Sequence, residues 1–565
     1  MARTFNQTNN SFNQAIFFTD PLVTGPITVT SSGVISEAFA GSALRLEGGA
    51  YTVAISGLLS ASGASTSGLE LGLAATATPA QVSTVTVGTT GEILSRVIGL
   101  ASDHAVNLSN GGLIAGVAGV YVHGGIISYT IVNTGEIAAD LTSYAIRANG
   151  AGTHTITNSG TITGRIEGSF VDASVEHITN SGTITGQIYA RDGADVVTNS
   201  GLIDGAVSLD GGDDNLTNTG TIRGGINGWT GADTIQNDGL VTGNVISGDQ
   251  NDILTNTGTI DGSVIAGFGN DSLISTGVVT QWIFMGEGRD TMTGGAGRDQ
   301  VADEAGADRY ALGDGIDNYD AVGAGSAAGT DRIDAGLHTG SNPLLGLYGD
   351  EYNAFDATTA VVVNLDNTAT VDTATATLYA GGRASGAETG IDQINGFETV
   401  HTGSGNDVIF GNADANYLAS HDGADHLFGG AGGDYLDGGT GADFLVGGSG
   451  KDVLDVGIDN DTDTVHYSAL TDSRTAPGGR DVLLNFTDAD RIDFGNMAII
   501  GGTADHYIGT DVAFDGIQGA VRVVSTSAGW TVQLDANGDL VADLSIDVAD
   551  LGHTGVTGWF DQFLF

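Results

Sequence analysis

A repeat of 19 residues runs through the middle of the chain and restricts the possible folds more than any other feature. The segment Ile178–Gly186 reads ITNSGTITG, and close copies occupy Leu216–Gly224 and Leu254–Gly262. Aligned on their central glycine, the copies recur with a step of 19 residues at Gly182, Gly201, Gly220, Gly239, Gly258 and Gly277. Self-similarity at a fixed period indicates an array of stacked units rather than a set of unrelated domains.

Aspartates follow the same step as the glycines. They stand 19 residues apart at Asp195, Asp214, Asp233, Asp252, Asp271 and Asp290. Upstream the glycine recurs with looser steps of 21 to 34 residues, at Gly160, Gly135, Gly112, Gly91, Gly57 and Gly33. The chain therefore has about twelve units between residues 27 and 284.

Each unit alternates apolar and polar residues over short stretches, as β-strands do. We interpret a unit as two stretches separated by two turns, for example Thr259–Asp261 with Val264–Ile265, and then Ser272–Ile274. The fold class predicted is all-β, a right-handed parallel β-solenoid of 19-residue coils that continues into calcium β-rolls. Inward Ile, Val and Leu would stack between coils, and asparagines would form ladders at a turn.

A second, shorter repeat begins near residue 285. Gly267–Leu273 reads GFGNDSL, Gly286–Met292 reads GEGRDTM and Gly294–Val301 reads GGAGRDQV. These match the nonapeptide G-G-x-G-x-D-x-U-x, in which U is a large apolar residue and the turns bind Ca²⁺. Four units form a first roll block, Met285–Asp320, and six form a second roll block, Thr402–Asp455. The second and third units of the second block, around Asn416 and Asp425, are degenerate.

The residue types suit calcium chemistry. Glycine lets a turn adopt positive φ and aim carbonyls at one point, and Asp adds a hard anionic oxygen of the kind that calcium prefers. We predict one cation column in the solenoid and two in the rolls. The predicted ligands are Asp195, Asp214, Asp233, Asp252, Asp271, Asp290, Asp299, Asp308, Asp317, Asp407, Asp425, Asp434, Asp443 and Asp452. Gly-Asp turns can also merely end strands, but an unbroken series of nonapeptides favours calcium.

Charge leads to the same prediction. Asp plus Glu is 68 and Lys plus Arg is 17, a formal net charge of −51. Bound cations would cancel part of this charge, and the rolls should unfold without calcium.

A nucleic-acid partner is excluded because the chain has a single lysine, Lys451, and few arginines to neutralise phosphates. There is no cysteine. We expect no membrane-spanning segment and no secretory signal in Met1–Asp20.

The nonapeptides resemble those of the RTX family, secreted proteins of Gram-negative bacteria. Val361–Asn412 is similar to the connector before an RTX block, and Asp481–Phe494 and Val521–Asp550 are similar to a serralysin-type C-terminal domain. The last residues, Trp559–Phe565, are similar to the uncleaved signal for type I export. The resemblance implies passage through a type I secretion apparatus, folding outside the cell in millimolar calcium, and an extracellular or cell-surface location.

These features divide the chain into six predicted segments. They are an N-terminal segment for assembly or surface attachment (1–26), the solenoid (27–284), an RTX β-roll (285–325), a β-rich connector (326–400), a second RTX β-roll (401–463) and a serralysin-like cap with the secretion signal (464–565).

Catalytic motifs are missing from the sequence. It contains neither H-E-x-x-H nor G-x-S-x-G. Gly447–Lys451 (GGSGK) resembles a phosphate loop, but Asp452 follows the lysine and the nonapeptide register explains every residue. A polysaccharide lyase, epimerase or glycosidase on a β-helix would need carboxylates and bases on one face. The strong bases before residue 190 share no coil position detectable in the sequence: Arg3, Arg45, Arg96, Arg147 and Arg165.

We therefore expect a non-enzymatic, calcium-dependent structural protein that assembles with itself into a surface layer or extracellular filament. Its outward Thr, Ser, Asn and Ala suit flat contacts between subunits, and open solenoid ends need pairing or capping. Cell-surface polysaccharide or lipopolysaccharide is a further expected partner. The alternatives are a monomeric polysaccharide-binding adhesin or matrix protein, and a polysaccharide lyase or epimerase.

Overall fold

The computed structural model describes most of the chain between residues 42 and 549. The described residues are 3–5, 16–18, 27–29, 34–37, 42–46, 51–61, 67–71, 82–96, 98–123, 128–140, 143–169, 174–302, 304–322, 330–336, 349–495, 497, 506–549 and 563–564. Most of the predicted segment 1–26, and Trp559–Phe565 apart from a strand at Phe563–Leu564, lie outside them. The chain divides into two compact units, Met1–Trp282 and Ile283–Phe565.

Three parallel sheets build the first unit. Sheet 1 contains Arg3–Phe5, Ile27–Val29, Thr52–Ile55, Val82–Val87, Ala105–Asn110, Tyr129–Asn133, Thr153–Asn158, Val175–Asn180, Val196–Asn199, Asn215–Asn218, Thr234–Asn237, Ile253–Asn256 and Ser272–Ser275. Sheet 2 contains Val34–Glu37, Leu58–Ala61, Glu92–Ser95, Leu113–Ala115, Glu136–Ala138, Thr161–Thr163, Thr183–Thr185, Leu202–Ile203, Thr221–Ile222, Leu240–Val241, Thr259–Ile260 and Val278–Val279. Sheet 3 contains Ile16–Phe18, Leu44–Leu46, Ser67–Leu71, Ile98–Ser102, Ala118–His123, Tyr144–Asn149, Arg165–Glu167, Ile188–Tyr189, Val207–Ser208, Ile226–Thr230, Val245–Asp249 and Val264–Gly269.

The coil has three sides, so the prediction of two stretches per unit was wrong. The stretch assigned to Thr259–Asp261 with Val264–Ile265 is two strands, one in sheet 2 and one in sheet 3. Between them the backbone bends at Gly262, where a Cβ would stand 2.6 Å from the carbonyl carbon of Gly243. This third corner needs glycine because neighbouring coils approach so closely.

Stacking in register forms the core of the first unit. One inward column of sheet 2 places each apolar residue directly opposite the next, and every member is fully buried: Ile184, Ile203, Ile222, Val241 and Ile260. Burial of such β-branched side chains contributes about 1.5–3 kcal/mol each. The 19-residue period keeps them aligned, because each step returns the chain to the same register position.

An asparagine ladder closes the corner between sheets 1 and 2, as predicted. Each Nδ2 donates to Oδ1 of the asparagine in the next coil at 2.7–2.9 Å, along Asn110, Asn133, Asn158, Asn180, Asn199, Asn218, Asn237 and Asn256. Each of these amides also donates to backbone carbonyl oxygens, for example Asn199 to Gly201 at 3.2 Å. The ladder satisfies these buried polar groups without any ion.

Two of the five arginines named above, Arg45 and Arg147, do share a register position, which the sequence did not reveal. The pairing runs from Arg45 to Glu70, Ala101, Tyr121 and Arg147 on successive strands of sheet 3. Because the intervening coils differ in length, no fixed sequence step relates the two arginines. Strand pairing alone reveals the alignment.

Two sheets form most of the second unit. Sheet 4 contains Thr291–Thr293, Arg309–Ala311, Arg332–Asp334, Val361–Asn364, Arg383–Gly386, Gly390–Asn395, Val408–Phe410, His426–Gly432, Phe444–Gly450, Thr464–His466, Arg491–Asp493 and Phe563–Leu564. Sheet 5 contains Ile283–Phe284, Gln300–Ala302, Asn318–Asp320, Glu351–Asn353, Thr399–His401, Tyr417–Ala419, Tyr435–Asp437, Val453–Asp455, Val482–Leu484, His506–Thr510, Ala520–Thr526, Gly529–Asp535 and Leu544–Ala549. The remaining elements are Glu287–Gly288, the hairpin Thr370–Asp372 with Thr377–Tyr379, and a 3₁₀ turn at Pro477–Gly479.

The rolls have 18-residue coils with one strand on each sheet. Tyr417 pairs with Tyr435 on sheet 5, and His426 pairs with Phe444 on sheet 4, each a step of 18 residues. The last strands of sheet 5 change to antiparallel pairing from Ala520 to Ala549. The all-β class and the parallel solenoid organisation are confirmed. In the described part of the chain, no helix is long and apolar enough to cross a membrane.

Candidate metal centre

All fourteen predicted ligands are buried, with at most 3% of each side chain exposed. In the first unit they form one column at the corner between sheets 3 and 1. The backbone N–H of Asp195 donates to Oδ1 of Asp214 at 2.6 Å, and Asp214 donates in the same way to Asp233 at 2.9 Å. The pattern continues through Asp252 to Asp271, both at 2.7 Å. One carboxylate oxygen of each residue therefore links its coil to the preceding one.

The second unit carries such columns at both edges. In the second roll block, Asp407, Asp425 and Asp443 repeat the bond on one edge at 2.7 and 2.9 Å. Asn416, Asp434 and Asp452 repeat it on the other edge at 2.8 and 2.9 Å. The first roll block has the same two edges, where Asp290 donates to Asp308 at 2.7 Å and Asp299 to Asp317 at 2.8 Å.

Many aspartates of these columns have a second carboxylate oxygen that accepts no hydrogen bond. Oδ2 is buried and has no hydrogen-bond partner in Asp214, Asp233, Asp252, Asp434, Asp443 and Asp452. A buried carboxylate oxygen without a partner costs free energy unless a cation or proton compensates it. At these six residues the columns therefore present a buried carboxylate oxygen that has no hydrogen-bond partner.

Glycines surround that free oxygen. A Cβ built on Gly429 would lie 2.6 Å from Oδ2 of Asp434, and one built on Gly447 would lie 2.6 Å from Oδ2 of Asp452. The first glycine of the nonapeptide thus leaves room for the carboxylate. Because this glycine has no side chain, its backbone can lie next to the carboxylate oxygen. The sequence preference for glycine at this position has a direct steric cause.

Burial raises the pKa of these carboxyl groups. The pKa of Asp434 is raised to about 8 by burial and then by the charge of Asp452. Burial likewise raises the pKa of Asp214 to about 8 and that of Asp443 to about 8. Without a bound cation, the ionised columns therefore destabilise the fold at neutral pH.

Calcium fits this arrangement better than a metal held by side chains alone. Among the described residues, no three His, Asp or Glu side chains come together as a metal-binding group. A cation between two turns must then take most of its ligands from backbone carbonyls, with one carboxylate oxygen from a turn. Calcium accepts six to eight oxygen ligands in flexible geometry, which suits such a mixed set.

Sequence reasoning missed further members of the columns. Asp308 donates to Oδ1 of Asp331 at 2.7 Å, and Asp452 donates to Asp481 at 2.9 Å. Asp350, Asp463 and Asp490 also belong to the columns, because the Oδ1 of each accepts the same kind of backbone hydrogen bond. Insertions of up to 15 residues beyond the 18-residue coil separate these residues from their neighbours, and this breaks the nonapeptide pattern. Each is nevertheless followed two positions later by an apolar strand residue, which could have revealed them.

Comparison with known proteins agrees with the positions of the repeats. The model of the RTX calcium-binding nonapeptide repeat (4 copies) matches residues 286–319, 392–427 and 428–463. Repeats of this kind bind several Ca²⁺ ions. A search of the curated proteins found no match to the chain.

Proposed function

The chain carries the calcium-binding nonapeptide repeats of the RTX family, and on this premise we propose that it is a secreted structural protein that assembles with itself in calcium. Copies would pack into a surface layer or filament outside a Gram-negative cell. The proposal assigns no catalytic role, because the repeated side chains serve stacking between coils.

The outward surface of sheet 2 is the main support for contact between copies. Successive strands in register present an uncharged column of side chains: Thr161, Thr183, Leu202, Thr221, Leu240 and Thr259. This column carries no charge, and at the next outward position Asp204 of one coil lies 3.9 Å from Arg223 of the next, so the two opposite charges partly balance. Such a face suits close contact with another regular sheet.

Sheet 1 adds exposed apolar residues near the end of the first unit. Ile253 and Ile274 lie on adjacent coils and are 50% and 44% exposed. Large apolar side chains that share an outward face favour burial against a partner. In the proposal they form part of the contact between copies.

Electron microscopy with circular dichroism tests this function. Purified chain would be imaged in EDTA and after addition of about 5 mM CaCl₂. We expect β-structure and ordered arrays or filaments to appear with calcium. Calcium-induced folding of a chain that remains monomeric would refute assembly while leaving calcium binding intact.

A surface variant separates assembly from folding. We expect Ile253→Lys combined with Ile274→Lys to retain the calcium-induced circular dichroism signal but to lose ordered assembly, because both side chains face outward. Val541→Lys, an exposed apolar residue of the second unit, is the matched control and should assemble normally. Normal assembly of the double variant would exclude this face as a contact.

A further inference from the structure

A groove of about 520 Å³ crosses the outward surface of sheet 3 in the first unit. Its lining combines aromatic, amide and charged side chains, and it includes Tyr189, Arg191, Asp210, Asn227, Trp229 and Asn244. Neither the calcium columns nor the proposed contact faces use these residues. A concave site with aromatic walls and a few polar groups is typical of a ligand-binding site.

Trp229 has an unusual backbone conformation in this groove. Its φ is +74°, and 55% of its side chain is exposed. Positive φ recurs at this register position in every coil around the groove: Arg191 (+82°) and Asp210 (+70°) precede Trp229, and Gly248 (+125°) and Gly267 (+111°) follow it. A bulky residue with positive φ is strained, and glycine would relieve that strain. The corner has this conformation in five successive coils, and three of them, those of Arg191, Asp210 and Trp229, keep a side chain on the groove where glycine would be less strained. Because the exposed indole contributes little to the core, this choice of residues indicates a role outside folding.

Arg191 is held in place beside the tryptophan. Its Nη1 donates to Oδ2 of Asp210 at 3.1 Å, and its Nη2 donates to Glu167. The guanidinium carbon lies 5.1 Å from the ring centroid of Tyr189. These contacts fix the polar groups before any ligand arrives, which lowers the entropy cost of binding. They also balance the arginine with carboxylates, so the groove carries no strong positive charge.

Tyrosines and arginines alternate along sheet 3 towards the N-terminal coils. The guanidinium of Arg165 lies 4.0 Å from the ring centroid of Tyr144 and 6.0 Å from that of Tyr189. Arg147 lies 4.6 Å from Tyr144 and 5.6 Å from Tyr121. These side chains therefore extend from the groove as a strip of alternating rings and guanidinium groups across several coils, which suits an elongated ligand.

We propose that this groove and strip bind an uncharged polysaccharide. The apolar faces of sugar rings would pack against Trp229 and Tyr189, because indole and phenol offer a flat apolar surface with a polar edge. Asn227, Asn244 and the fixed ion pair of Arg191 with Asp210 would exchange hydrogen bonds with hydroxyl groups. Acidic polymers are disfavoured by the net charge of −51. This site is independent of assembly between copies.

Affinity electrophoresis in about 5 mM CaCl₂ tests the site. The full chain would migrate through gels containing dextran, pullulan or galactomannan, with alginate and dextran sulfate as anionic probes. We expect retardation by at least one uncharged polymer, and at least about tenfold weaker retardation for Trp229→Ala and Tyr189→Ala. Phe268→Ala is the matched control, because Phe268 is 56% exposed in the same unit but outside the groove.

Trp229→Gly separates a binding role from a structural role. Glycine accepts the positive φ, so we expect a higher Tm together with loss of retardation. A lower Tm for Trp229→Gly would mean that the indole supports the fold, and it would overturn the argument from strain. Retardation of no uncharged polymer, retardation by the anionic polymers alone, or unchanged retardation of Trp229→Ala would each overturn the proposed site.

Discussion

Replacing Asp434 by asparagine should have opposite effects with and without calcium. Asp434 is fully buried, and its Oδ1 accepts a hydrogen bond from the backbone N–H of Asn416 at 2.8 Å. Its Oδ2 has no hydrogen-bond partner. Burial, and then the charge of Asp452, raise its pKa to about 8. Asparagine has nearly the same shape without the charge.

The magnitude follows from linkage between proton binding and folding. A carboxyl group whose pKa is raised in the fold binds its proton more tightly there. Its contribution to stability is therefore complete below the unfolded pKa of 3.8 and is lost as pH rises through about 8. At about 1.4 kcal/mol per pH unit, folding with Asp434 still mostly protonated costs on the order of 4 kcal/mol at pH 7, because the unfolded chain has already lost that proton. The cost falls to about 1 kcal/mol at pH 4.5.

Four buried carboxyl groups of the second roll block, two on each edge, together cost about as much free energy as the folding of a domain usually provides. Burial raises the pKa of Asp425 and Asp452 to about 7, and that of Asp434 and Asp443 to about 8. At pH 7 their combined cost is on the order of 15 kcal/mol, against a typical 5–15 kcal/mol for folding. We therefore expect the block to be unfolded in EDTA at pH 7 and to fold as the solution is acidified.

Circular dichroism against pH measures both effects. In EDTA, Asp434→Asn should shift the folding midpoint to higher pH, whereas in calcium it should raise the calcium concentration needed for folding. Asn416 already occupies the same column, so the amide fits there. Asp461→Asn, at an exposed position of the same unit, changes the net charge equally and should alter neither midpoint. A wild-type block that stays folded in EDTA at pH 8 would refute the reasoning, as would an unchanged acid midpoint for Asp434→Asn.

Three further predictions concern stacking. Asn199→Ala removes a buried ladder amide and should cost about 3 kcal/mol in urea unfolding with calcium present, whereas Thr198→Ala on the same strand should cost under about 0.5 kcal/mol. Gly441→Ala would place a Cβ 1.5 Å from the carbonyl oxygen of the glycine one coil before. We expect this variant to lose calcium-induced folding, as measured by circular dichroism. Gly478→Ala is the control and should fold normally, because a Cβ there would have no atom within 4 Å. As calcium is lowered, hydrogen exchange should increase in the second roll block before it increases in the first unit.

The sequence was sufficient to predict the elements that repeat at a fixed step. Constant spacing identified the coils, the asparagine ladder and the aspartate columns, because stacking in register requires equivalent residues at equal intervals. The third side of the coil could also have been found. Its corner glycines follow the same step of 19 residues, at Gly186, Gly205, Gly224, Gly243 and Gly262.

Features that depend on pairing between coils of unequal length could not be predicted from a constant repeat spacing. Arg45 and Arg147 share a register position only after several loops of different length. Asp331 and Asp481 join the aspartate columns across insertions that disrupt the nonapeptide. The positive φ that Arg191, Asp210 and Trp229 share is likewise visible only in the backbone of the structure.

The two ladder chemistries explain why calcium can control this fold. An asparagine ladder satisfies its own donors and acceptors, so it stabilises stacking at any calcium concentration. An aspartate column uses one carboxylate oxygen of each residue to link coils and leaves like charges stacked, so it opposes folding until a cation binds. Lys and Arg number only 17 against 68 acidic residues, and side-chain cations therefore cannot take over this role. The first unit combines one aspartate column with an asparagine ladder, whereas both edges of the rolls carry aspartates. The rolls should therefore respond to calcium more steeply than the first unit, and we expect them to stay unfolded where calcium is scarce.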